Sequence, residues 1–167
     1  HDLFGPRPEL YDELLRVPLF FKAPGIESAT VDQQVSLIDL GPTIYDTLDV
    51  APPERVQGTS FAPLLRGESM DEPVALSTAG GGDRLGCRTS RWKCIWKLDE
   101  ETIELYDLEA DPGETTDVSD DQQAVVDRFI DIMEEYRSEA RATDTELPDR
   151  ERDEEVKQRL EDLGYVD

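Results

Sequence analysis

The chain has few side chains of the kind that carry out chemistry and many of the kind that merely ionise. His1 is its only histidine, the one side chain type whose ordinary pKa lies near neutrality. At a chain end it reads as an exposed terminal residue before it reads as a catalytic or ligating one. Cys87 and Cys94 are the only cysteines. If residues 88–93 form a hairpin with Ser90 and Arg91 at its tip, the two thiols stand opposite each other, which permits a disulfide. The plainer reading is a pair of small buried thiols, and two cysteines alone make neither a zinc site nor a redox motif. Asp107, Glu109 and Asp111 alternate along the chain, a spacing that lets carboxylates converge on a cation. Nothing completes an EF-hand loop around them, so a surface turn is expected. Adjacent carboxylates such as Glu100-Glu101 and Glu154-Glu155 are no argument for acid–base chemistry, because carboxylates occur throughout.

That abundance sets the physical class of the molecule. Among 167 residues, 40 Asp and Glu face 17 Lys and Arg, a formal net charge of −23. Only four of the basic residues are lysines (Lys22, Lys93, Lys97, Lys157). Such a balance repels phosphate backbones and anionic bilayers, which excludes nucleic acid and membrane surfaces as expected partners. The charge is uneven. Residues 1–98 carry 14 acidic and 10 basic groups, residues 99–167 carry 26 and 7. The second part is expected to be a solvated helical surface or partly disordered. The favoured reading of the whole is adaptation to high salt, where dense carboxylates keep a surface hydrated and ions screen their mutual repulsion. No apolar run approaches the ~18 residues of a membrane span, and a soluble chain, cytoplasmic or exported, is expected. The chain opens without Met or a leader, as a piece cut from a longer protein would.

The elements that must position any site follow from periodicity and punctuation. Residues 16–22 are continuously apolar in the middle, the pattern of a strand covered on both faces, and Ala23-Pro24-Gly25 ends it. A helix is expected from about Leu40 to Asp49, with Pro42 in its first turn and Ile44, Tyr45 and Leu48 as its buried stripe. Residues 56–67 read as a loop and a turn of helix closed by Gly67, and residues 74–79 as a strand. Three antiparallel strands follow at about 84–89, 92–98 and 102–106, a meander with one covered face, with Trp92 and Trp96 on that face. Residues 107–114 are a turn-rich loop. Ser119 and Gln122 make a capping box for a helix to about Arg141 that buries Val125, Phe129, Ile132 or Met133, and Tyr136, with Val126 and Ile130 alongside. A linker over 143–149 precedes a last helix over about 150–163.

In order and spacing, these segments resemble one family. The chain is similar to the C-terminal third of a sulfatase, in the alkaline-phosphatase-like superfamily. The resemblance lies in Leu10-Tyr11-Asp12-Glu13 with Arg16-Val17-Pro18-Leu19, in 35–40 with Pro42-Thr43, and in Gly58-Thr59-Ser60 with Pro63-Leu64-Leu65. It continues through Arg88-Thr89-Ser90-Arg91 with Lys93, Glu104-Leu105-Tyr106-Asp107-Leu108 with Asp111-Pro112-Gly113-Glu114, and the closing Leu163-Gly164-Tyr165. The acidic bias resembles a haloarchaeal version. The implied fold class is α/β: the C-terminal part of an alkaline-phosphatase-like sulfatase fold with a small antiparallel sheet and a packed helix. Residues 1–79 would be the tail of the catalytic core, 80–142 the small sheet and helix, and 143–167 a linker and acidic helix.

The resemblance also implies a chemistry. Family members hydrolyse sulfate esters with a formylglycine nucleophile, made from a Cys or Ser in a C-x-P-S/A-R type motif, and a divalent cation, usually calcium, that polarises the ester. Neither cysteine here stands in such a motif, so the nucleophile and metal ligands would belong to the parent, and a sulfate ester would be met only through its N-terminal part. His1 resembles the last histidine of the family's final active-site loop, and Phe4-Gly5 the turn after it. Pro6 stands where the family has His or Lys, a group that binds the sulfate or protonates the leaving oxygen. Arg7 beside it suits an anionic sulfate but holds its proton too tightly to donate it. Tyr11, Asp12 and Glu13 read as structural, and Asp39 as a helix-start residue. The expectation is a C-terminal portion of a sulfatase-like hydrolase, inactive by itself. The alternatives are a phosphodiesterase or phosphonate monoester hydrolase of the same superfamily, and a non-catalytic sulfatase-like interaction module.

Overall fold

The computed structural model describes residues 9–144, with side chains to residue 140. His1, the Phe4–Arg7 segment and the expected last helix therefore lie outside the described residues. The chain divides into two compact units between Met133 and Glu134, and the contacts given below belong to the first. Its elements run α1 (Asp12–Leu15), α2 (Leu40–Thr47), α3 (Ala62–Leu65), β1 (Ala75–Ala79), β2 (Arg84–Arg88), β3 (Trp92–Lys97), β4 (Thr102–Asp107) and α4 (Gln123–Asp144). A 3-10 turn at Leu37–Asp39 leads into α2. The helix α4 takes in Thr143 and Asp144, at which a linker was expected to begin.

The four strands form one antiparallel sheet in the order β1-β2-β3-β4. Tight turns set its register. Thr89 N donates to Trp92 O at 2.9 Å, closing a hairpin with Ser90 and Arg91 at the tip and placing Arg88 opposite Lys93 and Cys87 opposite Cys94. Residues 98–101 turn β3 into β4, with Glu101 at φ 56°. The strand expected over residues 74–79 is the edge strand β1, paired with β2 from Ala75↔Arg88 to Ala79↔Arg84. At the opposite edge the chain folds back along β4. Val118 N donates to Leu105 O at 2.8 Å, and Leu105 N donates to Asp117 Oδ1 at 3.0 Å.

Both faces of this sheet are covered, where one covered face was expected. Neighbouring residues of a strand point to opposite sides, yet Cys94 and Ile95 are both fully buried. Ile95 and Tyr106 pack with Leu10, Tyr11 and Leu108, and Leu15 and Ala79 lie against them. On the other side the Cys87 thiol meets α4, pointing at Phe129 O, 3.9 Å away, with Cys94 opposite it on β3. The stripe of α4 in the first unit is Val126, Phe129 and Met133, all buried: Phe129 and Met133 fall as expected, Val126 takes the central place given to Val125, and Val125 and Ile132 are half-buried. The spacing is helical. Burying one such aromatic side chain contributes about 1.5–3 kcal/mol. Trp92 and Trp96 are half-buried at the margin of this face rather than over its centre.

Two expectations for residues 16–48 fail for physical reasons. Residues 16–22 have no regular secondary structure, and Val17, Leu19 and Phe20 are exposed, Phe20 by 92%. A strand exists only where a neighbour completes its hydrogen-bond ladder, and no described segment does so. In α2, Ile44 and Leu48 are exposed and the buried residue is Thr43. The helix is held by its polar side: Thr43 Oγ1 donates to Asp39 O (2.6 Å) and accepts from Phe61 N (3.0 Å).

Asp39 confirms its helix-start role and extends it. Its carboxylate accepts from Ser36 N (3.0 Å) and Thr59 N (2.8 Å), so one side chain fixes both the entry to α2 and the 58–60 loop. That loop passes so closely that a Cβ on Gly58 would sit 2.6 Å from Ile38 O and 2.9 Å from Asp39 Oδ1, at φ 92°. Gly58→Ala is therefore expected to lower stability by about 2 kcal/mol or more, measured by urea unfolding. An unchanged midpoint would show that this approach does not hold the segment.

Candidate functional site

The most concentrated chemistry among the described residues lies where α1, the β2–β3 hairpin and the 111–116 turn meet. Lys93 points inward from β3 and is only 1% exposed. Its Nζ lies 2.9 Å from Asp12 Oδ1 and 2.7 Å from Glu114 Oε1. Arg88, opposite Lys93 on β2, engages Asp12 side-on: Nε to Oδ1 at 3.0 Å and Nη2 to Oδ2 at 2.9 Å. Glu114 Oε2 accepts from Asp12 N at 2.7 Å. Arg88 Nη1 donates to Gln34 Oε1, and Gln34 Nε2 donates back to Arg88 O at 2.9 Å. Two cations thus meet two carboxylates, and the cluster is electroneutral.

Local structure explains how each group arrives. Asp12 begins α1, where a carboxylate suits the positive helix end. Alternation along β3 puts Lys93 on the face of Ile95. Glu114 is held at φ 53°, a left-handed conformation that costs a non-glycine residue energy. Asp111 sets up that turn by accepting from Thr115 N (2.7 Å) and Thr116 N (2.8 Å). Burial pushes the Asp12 pKa up, but hydrogen bonds and charge from Arg88 and Lys93 outweigh it and leave the group below its ordinary 3.8.

A second polar group flanks the first. The Tyr11 and Tyr106 hydroxyls both donate to Glu104 Oε2, at 3.0 and 3.1 Å, while Lys97 Nζ pairs with Glu104 Oε1. The two rings meet edge to face with centroids 6.1 Å apart. Burial, and then the Glu104 charge, raise both tyrosine pKa values. In both groups the carboxylates are taken up by lysine, arginine, tyrosine or backbone donors. Each joins the N-terminal segment to the sheet.

The residues singled out in the sequence divide accordingly. His1 and Arg7 lie outside the described residues. Cys87 and Cys94 face each other as free thiols, fully buried, and burial pushes both pKa values up to about 12. Asp107 pairs with Arg91 at 2.9 Å, and Asp111 is occupied by its own turn, so these two serve the loop as expected. Trp92 lies under the Arg91 guanidinium, 4.6 Å from its ring centre. Asp12 is structural as read. Its partners Lys93, Arg88 and Glu114 were visible only as members of matching strings. A charged side chain at an inward-facing strand position was the signal available, and it names no partner.

The formylglycine and calcium implied by the resemblance do not fit the described residues. The two thiols are inert and buried, and no group of three or more His, Cys, Asp or Glu among the described residues is placed to hold a metal ion. Among the described residues, too, no helix is long and apolar enough to cross a membrane.

Residues 1–75 match the family model described as N-sulphoglucosamine sulphohydrolase, C-terminal. The chain is 31% identical over 153 residues to a Delta 4,5-hexuronate-2-O-sulfatase of Bacteroides thetaiotaomicron, covering 83% of this chain and 30% of that protein. It is 32% identical over 139 residues to a choline-sulfatase of Rhizobium meliloti, covering 76% and 27%. A solved 2-O GAG sulfatase superposes over 84% of this chain and 33% of its own, with TM-score 0.66 and 27% identity. The chain thus spans about 30% of the length of the curated relatives it matches.

Removing Lys93 leaves two carboxylates against one guanidinium in a buried site. Lys93→Met is expected to cost about 3–5 kcal/mol. Adding Glu114→Gln restores neutrality, so the double variant should be less destabilised than the sum of the two single changes, as a double-mutant cycle in urea would show. Because the folded-state pKa of Asp12 is depressed, its contribution is complete above the ordinary 3.8 and is lost as pH falls through the lower folded value. The loss of stability below about pH 4 should be shallower in Asp12→Asn than in the wild type, followed by urea unfolding at stepped pH.

Proposed function

This chain belongs to the sulfatase family, and from that premise we propose that it supplies the C-terminal scaffold of a sulfate-ester hydrolase whose catalytic groups reside elsewhere. The observation that carries the reading is the character of its buried charge cluster. Lys93, Asp12, Arg88 and Glu114 form a closed, neutral knot that fastens the 10–16 segment to the sheet. Such a knot sets the position of whatever precedes residue 10. His1 and Arg7 precede it, and in the whole protein they would approach the sulfate. The metal and the formylglycine would come from the remainder of the enzyme, where a bound cation polarises the ester. The substrate class is a sulfate ester. Nucleic acid and anionic membrane are disfavoured as partners by the charge of −23.

The same charge supports adaptation to high salt of the haloarchaeal kind. The acidic surface is repulsive in dilute buffer, and screening relieves it. The core is modest by comparison, so repulsion is a large fraction of the balance.

The direct test is hydrolysis of p-nitrophenyl sulfate by the 167-residue chain with and without calcium. No turnover above background is expected, and calcium-dependent hydrolysis would overturn the scaffold reading. Separately, the urea midpoint is expected to rise steadily from dilute buffer to molar potassium chloride. A midpoint indifferent to salt would remove the halophilic reading.

A further inference from the structure

The fold sets the chain's only two cysteines directly opposite each other, Cys87 on β2 and Cys94 on β3. Opposed residues of an antiparallel pair direct their side chains to the same face. Their Cα atoms lie about 4.5–5.5 Å apart, inside the range that a disulfide spans. Both are free thiols with 0% exposure. Neither takes part in the charge cluster or in any chemistry described above.

What keeps them inert is their covering. The Cys87 thiol donates to Phe129 O of α4 at 3.9 Å, and the Phe129 side chain is itself buried. Thiol–disulfide exchange needs a thiolate and a path for the reagent, and a closed α4 denies Cys87 both. Burial holds both thiols un-ionised, and at Cys94 the charges of Cys87 and Asp117 add to it. Cys87 is therefore the first to ionise when solvent reaches the pair. Helices open locally at a lower cost than the whole unit unfolds, so the pair is reachable without global unfolding.

We propose that Cys87 and Cys94 are a cross-strand dithiol that a small-molecule disulfide closes into an intrachain disulfide bond, with α4 as the cover that controls the reaction. The Cys87 thiolate attacks one sulfur of the reagent R–S–S–R, forming a mixed disulfide and releasing R–S⁻. Cys94 then loses its proton to solvent. Its thiolate attacks Cys87 Sγ, forming the intrachain bond and expelling the second R–S⁻. Each R–S⁻ takes up a proton, so two cysteine thiols are oxidised and one external disulfide is reduced to two thiols. The bond ties β2 to β3 one register position from Arg88 and Lys93, the two cations of the buried cluster. It closes only a short loop, so it acts on the hairpin more than on the stability of the whole unit. When α4 closes again, a reductant meets the same barrier, and the bond outlasts the oxidant.

The test incubates the full 167-residue chain with oxidised glutathione in non-denaturing buffer and follows the products by mass spectrometry. The expected product is a chain lighter by two hydrogens, with Cys87 and Cys94 linked in its peptide map. Oxidation should be at least about a hundredfold slower than in the urea-unfolded chain. Phe129→Leu, which loosens α4 over Cys87, should speed it about fivefold or more. Arg128→Ala, on the exposed side of the same helix, should not. Should Phe129→Leu unfold the chain, wild type in urea below its midpoint gives the same reading, since the rate should rise before global unfolding begins. Cys94→Ser should stop at a single glutathione adduct on Cys87. Absence of the linked product, a chain carrying two glutathiones, or native thiols as reactive as unfolded ones would overturn the proposal. So would a rate unmoved by both Phe129→Leu and urea below the midpoint. The readout is a covalent product and its rate, independent of any hydrolytic activity.

Discussion

A lysine ammonium with almost no solvent has to be neutralised on the spot, and the architecture of the first unit follows from how Lys93 meets that demand. Its two carboxylate partners come from residues 12 and 114, 102 positions apart in sequence. Neither can move without leaving a charge uncompensated at low dielectric, a penalty of several kcal/mol. The knot therefore fixes α1, the hairpin and the Asp111–Glu114 turn in a single geometry. It supplies little net stability compared with an apolar core of the same size. What it supplies is uniqueness of arrangement, because hydrophobic burial is non-directional and ion pairs are not.

The same economy runs through residues 33–62, which have little apolar core of their own. Asp39 binds two backbone N–H groups on separate segments, and Thr43 links α2 to the start of α3. Gly58 allows the approach that makes those bonds short. Polar side-chain-to-backbone bonds stand in for packing here, and the hydrophobic residues they leave over face outward. A region built this way is organised internally and unfinished externally, which is the condition of a surface that continues into something larger.

The strands of the sheet were legible because their signals are local. Ser90-Arg91 and residues 99–101 are turns, and the run between them is rich in aromatic and β-branched residues. The two-residue hairpin placed Cys87 opposite Cys94 without any tertiary information. Asp39 at a helix start was legible for the same reason, since capping acts over three or four residues. The stripe of α2 was not. Ile44 and Leu48 are apolar at helical spacing, and only the location of neighbours decides whether such a stripe is inside. Both faces of the sheet being covered was missed likewise, because Lys93 and Lys97 disguise an inward face as a polar one. The cluster suffered most. Arg88, Lys93, Asp12 and Glu114 are four charged residues among 57, and nothing in their spacing sets them apart.

By itself the sequence determined the family resemblance, the sheet meander, the long helix and the overwhelming negative charge, all of which depend on residues near one another or on composition. The tertiary structure decided which charges are buried together, which face of each helix is covered, and that residues 16–22 are a strand in composition but not in conformation. The division has one physical cause. Turns, caps and alternation are fixed by short stretches of backbone, whereas burial, ion pairing and ladder formation each need a second partner. For Lys93 that partner lies within the chain, and for residues 16–22 no described segment supplies it.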